Sequence, residues 1–239
     1  MLNGIYQAFQ HWGEQTVWIY SDPHFGDKDL DNGICGRPST EEQIASINAC
    51  AGRKDTLIIL GDVGDIEAVR KLRARRKILI MGNHDAGRTN YERKIITETF
   101  DADIYTEKEV LTKMKNKYPG WTISIILGRV GWIATADNKL FDEVYEGALI
   151  IGEKIILSHE PINGISWAMN IHGHAHDKRH KSDKYHFNVC SDVIGYKPIN
   201  FNQWLKQGHL AKIETIHRET IDKATERKKK RGGKKIGER

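Results

Sequence analysis

The chain has 239 residues, enough for one domain with an appendage and for a substantial buried core. Its formal net charge of +5 is concentrated at one end: residues 222–239 hold nine Lys or Arg against three Asp or Glu, a net of +6, which leaves about −1 for the rest. No apolar stretch nears the roughly 18 residues of a membrane helix, the N-terminal run lacks the pattern of an export signal, and Cys35, Cys50 and Cys190 have neither disulfide nor metal-site spacing; a cytoplasmic protein is expected.

The first apolar run, TVWIY, reads as a strand that breaks into Ser21-Asp22-Pro23-His24. After Gly36-Arg37-Pro38, the capping-box spacing of Ser39 and Glu42 predicts a helix to about Cys50. The run TLIIL then ends in Gly61-Asp62, Asp65 can cap a helix over IEAVRKLRAR, and KILIM ends in Gly82-Asn83-His84-Asp85. This alternation is that of βαβ units, with parallel strands whose loops gather at one end. Residues 88–140 read as an insertion or lid: a polar helical stretch, a basic segment at 113–117, and strands TISIIL and GWIATA joined by a tight turn. ALIIGEKIIL reads as a hairpin turning at Gly152-Glu153 and leading to Ser158-His159, and WAMNI runs into His172-Gly173-His174-Ala175-His176. A last helix from 204 to about 228 is expected to dissolve into a basic, disordered tail at 222–239, which leaves 1–221 as the folded domain.

Five strand ends thus present two aspartates, an asparagine and several histidines, and ligands collect beyond the carboxyl ends of strands in open α/β sheets. Side chains two apart on extended backbone point the same way, so Asp22 with His24, and His174 with His176, are ready to chelate. Mixed N and O donors without cysteine suit Mn, Fe, Zn, Ni or Mg, with Mn2+ as the first expectation. Two divalent ions, two aspartates and a bridging hydroxide leave about one positive charge facing the substrate, which favours a phosphate. His172 is read as a core or supporting residue, and Arg37 as a candidate to fork onto a phosphate. Cys35, Cys50, Cys190, His11, His180, His186, His209 and His217 are given no role in the site.

These segments resemble the calcineurin-like metallophosphoesterase family, whose pattern D-x-H, G-D, G-N-H-[DE], H, G-H-x-H appears in order from Asp22 to His176. The similarity is closest to a small bacterial and phage branch with an Arg-Pro element after the D-x-H loop. It implies a four-layer α/β/β/α sandwich with two mixed sheets. It also implies Asp22, His24 and His176 on one metal, Asn83, His159 and His174 on the other, and Asp62 bridging. His84 is then the residue near the leaving oxygen, with Asp85 orienting its ring. The segments Gly61–Glu67 and Met81–Asp85 depart from the protein serine/threonine phosphatase pattern. The expected activity is therefore a phosphodiesterase acting on nucleotides or nucleic-acid ends through a metal-bridging hydroxide. The alternatives are a phosphomonoesterase and a non-catalytic metal-binding scaffold. The basic tail predicts weak, salt-sensitive attraction to nucleic acid.

Overall fold

Short β-branched runs with no polar face become strands buried on both sides. In the computed structural model, which describes residues 16–28, 36–85, 91, 93–176 and 182–232, β1 (Val17–Tyr20), β2 (Thr56–Ile59) and β3 (Arg76–Ile80) pair in parallel. β7 (Glu143–Tyr145) lies parallel to β3 and β12 (Ile199–Asn200) antiparallel to β1, giving the order β12-β1-β2-β3-β7. A second mixed sheet joins β8 (Leu149–Ile151), β9 (Ile155–Leu157), β10 (Met169–His172) and β11 (His186–Asn188) in the order β11-β10-β9-β8. β8 and β9 form the expected hairpin, turning at Gly152 with φ 63°.

Alternation decides which residues meet. Val17, Ile19, Ile58 and Ile78 pack against Leu149, Leu157 and Ile171 of the second sheet, while Tyr20, Leu57, Ile59 and Leu79 face Ile44 and Ile47 of α1 (Thr40–Cys50). Each such side chain contributes about 1.5–3 kcal/mol on burial. Helices, the first sheet and the second sheet are therefore stacked, and the parallel strand ends open on one edge. The capping box of Ser39 and Glu42 forms as the sequence predicts.

Three elements differ from expectation. α2 is only Ile66–Val69: its bonds tighten to Lys71 N–Ala68 O and Leu72 N–Val69 O, and buried Leu72 and Ala74 draw the chain inward toward β3. The insertion contains β4 (Ile95–Phe100) as well as the expected hairpin of β5 (Thr122–Gly128) and β6 (Gly131–Asp137). These make a third, antiparallel sheet, β4-β6-β5, whose small core sets Ala134 and Ala136 against Val110 and Met114 of α3 (Glu107–Lys117). After α4 (Ser191–Ile194), the expected C-terminal helix is split into α5 (Phe201–Lys206) and α6 (Ile216–Gly232). The break follows from Gly208 at φ 78° and from buried Ile213, whose carbonyl accepts from Lys154 Nζ at 2.6 Å.

α6 carries helix into the segment expected to be disordered, through Gly232. Residues 233–239, Cys35, His11 and His180 lie outside the described residues, as do the side chain of His217 and part of the start of the insertion. Among the described residues no helix is long and apolar enough to cross a membrane.

Candidate metal centre

Backbone bonds lace the loop leaving β1 to that leaving β2 and the loop leaving β9 to that leaving β10, while the Asp85 carboxylate ties in the loop leaving β3. Asp22 N donates to Gly61 O at 3.2 Å, His24 N to Asp62 O at 3.0 Å, and Gly173 N to His159 O at 2.8 Å. The lacing imposes unusual conformations: Asp22 (φ 56°), His24 (46°), Asp62 (51°) and His174 (64°) are all left-handed, leaving Tyr196 (59°) as the one further non-glycine example among the described residues. Such backbone costs about 1–3 kcal/mol per residue and concentrates at functional sites.

Two sets of donors result, Asp22 with His24 and His176, and Asp62 with His159 and His174; within each, the ligand atoms lie within 4.8 Å of one another. Around His159 Nε2 stand Asn83 Oδ1 at 2.9 Å, His174 Nδ1 at 3.2 Å and Asp62 Oδ2 at 3.4 Å. Asp62 Oδ2 is also 3.7 Å from His24 Nε2, so this carboxylate stands between the sets. All seven residues read from the sequence as ligands are brought together.

The donors fit a cation. Among the described residues nothing hydrogen-bonds to the buried Asp22 Oδ1, 3.6 Å from His176 Nε2 and 4.0 Å from His159 Nδ1, while Asp22 Oδ2 accepts from His174 N at 2.9 Å. A buried carboxylate oxygen with no donor is costly unless a positive charge faces it. The histidine rings are also set for coordination. His159 Nδ1 lies 2.8 Å from the Leu60 carbonyl and His176 Nδ1 2.6 Å from Asp192 Oδ2, so each Nδ1 donates its proton outward and each Nε2 faces inward, where a cation would take the place of its proton.

Protonation follows the same geometry. Burial works to lower His159, but the hydrogen bond to Asp62, the Asp22 charge and the Leu60 carbonyl lift it to about 9. Burial works to raise Asp62, yet His159 and the His84 backbone N–H bring it down to about 2. Burial lowers His24, and the Asp192 hydrogen bond raises His176.

The glycines of the motifs are required by crowding. A Cβ on Gly82 would stand 2.7 Å from Asp62 N and 2.9 Å from His159 Cε1, and one on Gly61 would stand 2.6 Å from His159 Nδ1.

His84 sits at the opening, its side chain 65% exposed and its Nε2 4.0 Å from Asp62 Oδ2. It lines a cleft of about 610 Å³ with His24, Phe25, Gly26, Asp27, Gly64 and Asp65. Two expected roles are not those the structure displays. Asp85 does not orient the His84 ring: its carboxylate accepts from Asp62 N (2.7 Å), Gly82 N (2.9 Å), Val63 N (3.1 Å) and Tyr91 Oη (2.7 Å). It therefore shapes the Asp62 loop. Arg37 is not extended toward a substrate: its Nη2 donates to the Asp22 carbonyl (2.9 Å) and Ser191 Oγ (2.8 Å), and its Nε forms an ion pair with Asp192 Oδ1 at 3.0 Å, too poorly directed for a hydrogen bond. His172 is buried outside both sets, with Nδ1 2.8 Å from Gly173 O.

Asp192 escaped the sequence reading. Its signal was available: HFNVC followed by Ser191-Asp192 is one more apolar run breaking into polar residues. Cys190, beside Ser21 in a parallel bridge, brings that run alongside the β1 loop.

Comparison with known proteins gives one family. The model of the calcineurin-like phosphoesterases matches residues 15–218. No curated protein matches. Among solved structures, a protein of unknown function from Aquifex aeolicus is similar at 22% identity and a TM-score of 0.48, over 81% of this chain and 99% of that one.

Proposed function

The chain belongs to the calcineurin-like phosphoesterase family, a metal-dependent phosphoester hydrolase, and from that premise we propose the roles of its residues and its class of substrate. Asp22, His24 and His176 hold one divalent ion, Asn83, His159 and His174 a second, and Asp62 bridges them. The observation that carries this is the buried Asp22 Oδ1, without a hydrogen-bond partner among the described residues, together with the Asp62 carboxylate that stands between the two donor sets. Two divalent ions in that place, Mn2+ first among the candidates, supply a water of lowered pKa and neutralise charge on the phosphate oxygens. The chain's own part is to fix the rings through Leu60 and Asp192 and to offer a proton from His84 to the departing alkoxide.

A phosphodiester is the preferred substrate in this reading, with a nucleotide or nucleic-acid end as the group it carries. Clefts flank the centre on both sides: about 610 Å³ beside His24 and His84, and about 360 Å³ beside Asn83 and His159, with Met81, Glu146 and Ile162. That leaves room for a substituent on each ester oxygen. α6 exposes Arg218, Arg227, Lys228 and Lys229, which supports a salt-sensitive accessory hold on a polyanion. A cytoplasmic location rests on the sparse, unpatterned cysteines.

The test is metal content together with turnover of paired mono-, di- and cyclic nucleotide esters. Asp62→Asn should lower turnover by at least about 100-fold, near 3 kcal/mol of barrier. His84→Ala should keep its metal and slow esters of poor leaving groups most. Full activity in the Asp62 variant overturns the mechanism; faster monoester turnover makes the protein a phosphatase; bound metal without any turnover makes it a scaffold.

A further inference from the structure

The two histidines with fixed rings are fixed differently. His159 is buried and leans on a backbone carbonyl of its own core. His176, 41% exposed, is held from a separate element by the carboxylate of Asp192. Asp192 is itself gripped: Tyr196 Oη donates to its Oδ1 at 2.6 Å, Arg37 Nε lies 3.0 Å from the same oxygen, and Cys190 Sγ is 3.8 Å from Oδ2. Tyr196, the left-handed residue outside the donor sets, is pinned in turn by Ser46 Oγ on α1, which donates to its carbonyl at 2.7 Å.

Arg37 extends the same assembly to a second donor. Its Nη2 and Ser191 Oγ both donate to the Asp22 carbonyl, each at 2.9 Å. Two of the three residues in the first donor set are thus braced by one cluster. Among the described residues, no hydrogen bond or ion pair of Arg37, Asp192 or Tyr196 reaches Asp62, His159 or His174.

We propose that Arg37, Asp192 and Tyr196 are positioning residues for one ion above the other, a bracket that fixes His176 and Asp22 and so sets the affinity of the first donor set more than that of the second, which it meets through the Asp22 carboxylate alone. The inference rests on the two-ion reading above. A carboxylate hydrogen-bonded to the far nitrogen of a ligating imidazole fixes its tautomer and raises its basicity, and loss of such a partner costs about 10–100-fold in metal affinity. Arg37, by neutralising Asp192 and tying it to the Asp22 loop, keeps that carboxylate aimed.

The experiment is Mn2+ titration of the full chain, followed by calorimetry and electron paramagnetic resonance, with thermal melting in chelator as the check on folding. The wild type should bind two Mn2+ with a spin-coupled spectrum. Asp192→Ala should lose about 10–100-fold in affinity for one ion and far less for the other, so that a half-loaded sample displays the six-line signal of isolated Mn2+. Tyr196→Phe, which removes one hydroxyl, and Arg37→Lys, which removes the fork, should weaken the same ion by less. Equal weakening of both ions, or unchanged binding in a folded Asp192→Ala, overturns the bracket. A wild type that does not take up two ions overturns the two-ion reading itself.

Discussion

Asp85 gathers four donors onto one buried carboxylate, three of them backbone N–H groups of the loops that carry Asp62 and Asn83. Removing it strips the acceptor from the buried Asp62 N and Gly82 N, so Asp85→Ala should cost about 2–4 kcal/mol, read by denaturant unfolding, and should weaken metal binding through the displaced loop. Gly82→Ala should cost about 1–3 kcal/mol by overpacking and should lower metal stoichiometry, because the added methyl stands against Asp62 and His159. The seven donors were legible because each follows an apolar run, and two pairs of them, Asp22 with His24 and His174 with His176, stand at chelating spacing. The aim of Asp85 and Arg37 was not. An Asp after His84 reads as its orienter, but the turn at Gly82 points it back to the Asp62 loop; Arg37 reads as a loop cation because its partner Asp192 comes from beyond β11.

At the level of elements, spacing identified α1 through its capping box and the β8–β9 and β5–β6 hairpins through their turn residues. It did not identify β4, whose Ile-Ile-Thr-Glu-Thr-Phe run acquires its strand character from pairing along the whole of β6. Nor did it place the end of α2, which burial of Leu72 decides. The insertion is closed at its stem: Asn138 N donates to Lys94 O at 3.1 Å, Lys94 N to Asn138 Oδ1 at 2.6 Å, and Arg93 pairs with both oxygens of Asp137. With its own core and a closed stem, the segment should be dispensable for folding. Replacing residues 95–137 by a two-glycine link should leave the melting curve cooperative and metal stoichiometry unchanged. A changed preference among ester substrates in that variant would make the insertion a lid; an unchanged one would make it added sheet edge.

For the molecule as a whole, the two stacked sheets supply the scaffold and the charged centre is held at its edge. Among the described residues, the ion-pair partners of its two aspartates are all histidines. Metal should therefore act as a folding ligand. At a free concentration a hundred times the dissociation constant, one bound ion adds about 2.7 kcal/mol, so chelation should lower the melting temperature and Mn2+ should restore it, by calorimetry. The near-neutral body and the basic end were readable from the sequence. That α6 stays helical through Gly232 was not, because its last residues, Glu226 to Gly232, include no apolar side chain and so carry no periodic signal.

The left-handed turns at Asp22, His24 and Asp62 are tied by hydrogen bonds between backbone atoms, and that at His174 by its N–H to Asp22 Oδ2, so the chain itself holds the shape of the cage. Capture then spends little on ordering loops, and a cage of fixed shape discriminates among divalent ions by the geometry and the nitrogen and oxygen donors it presents.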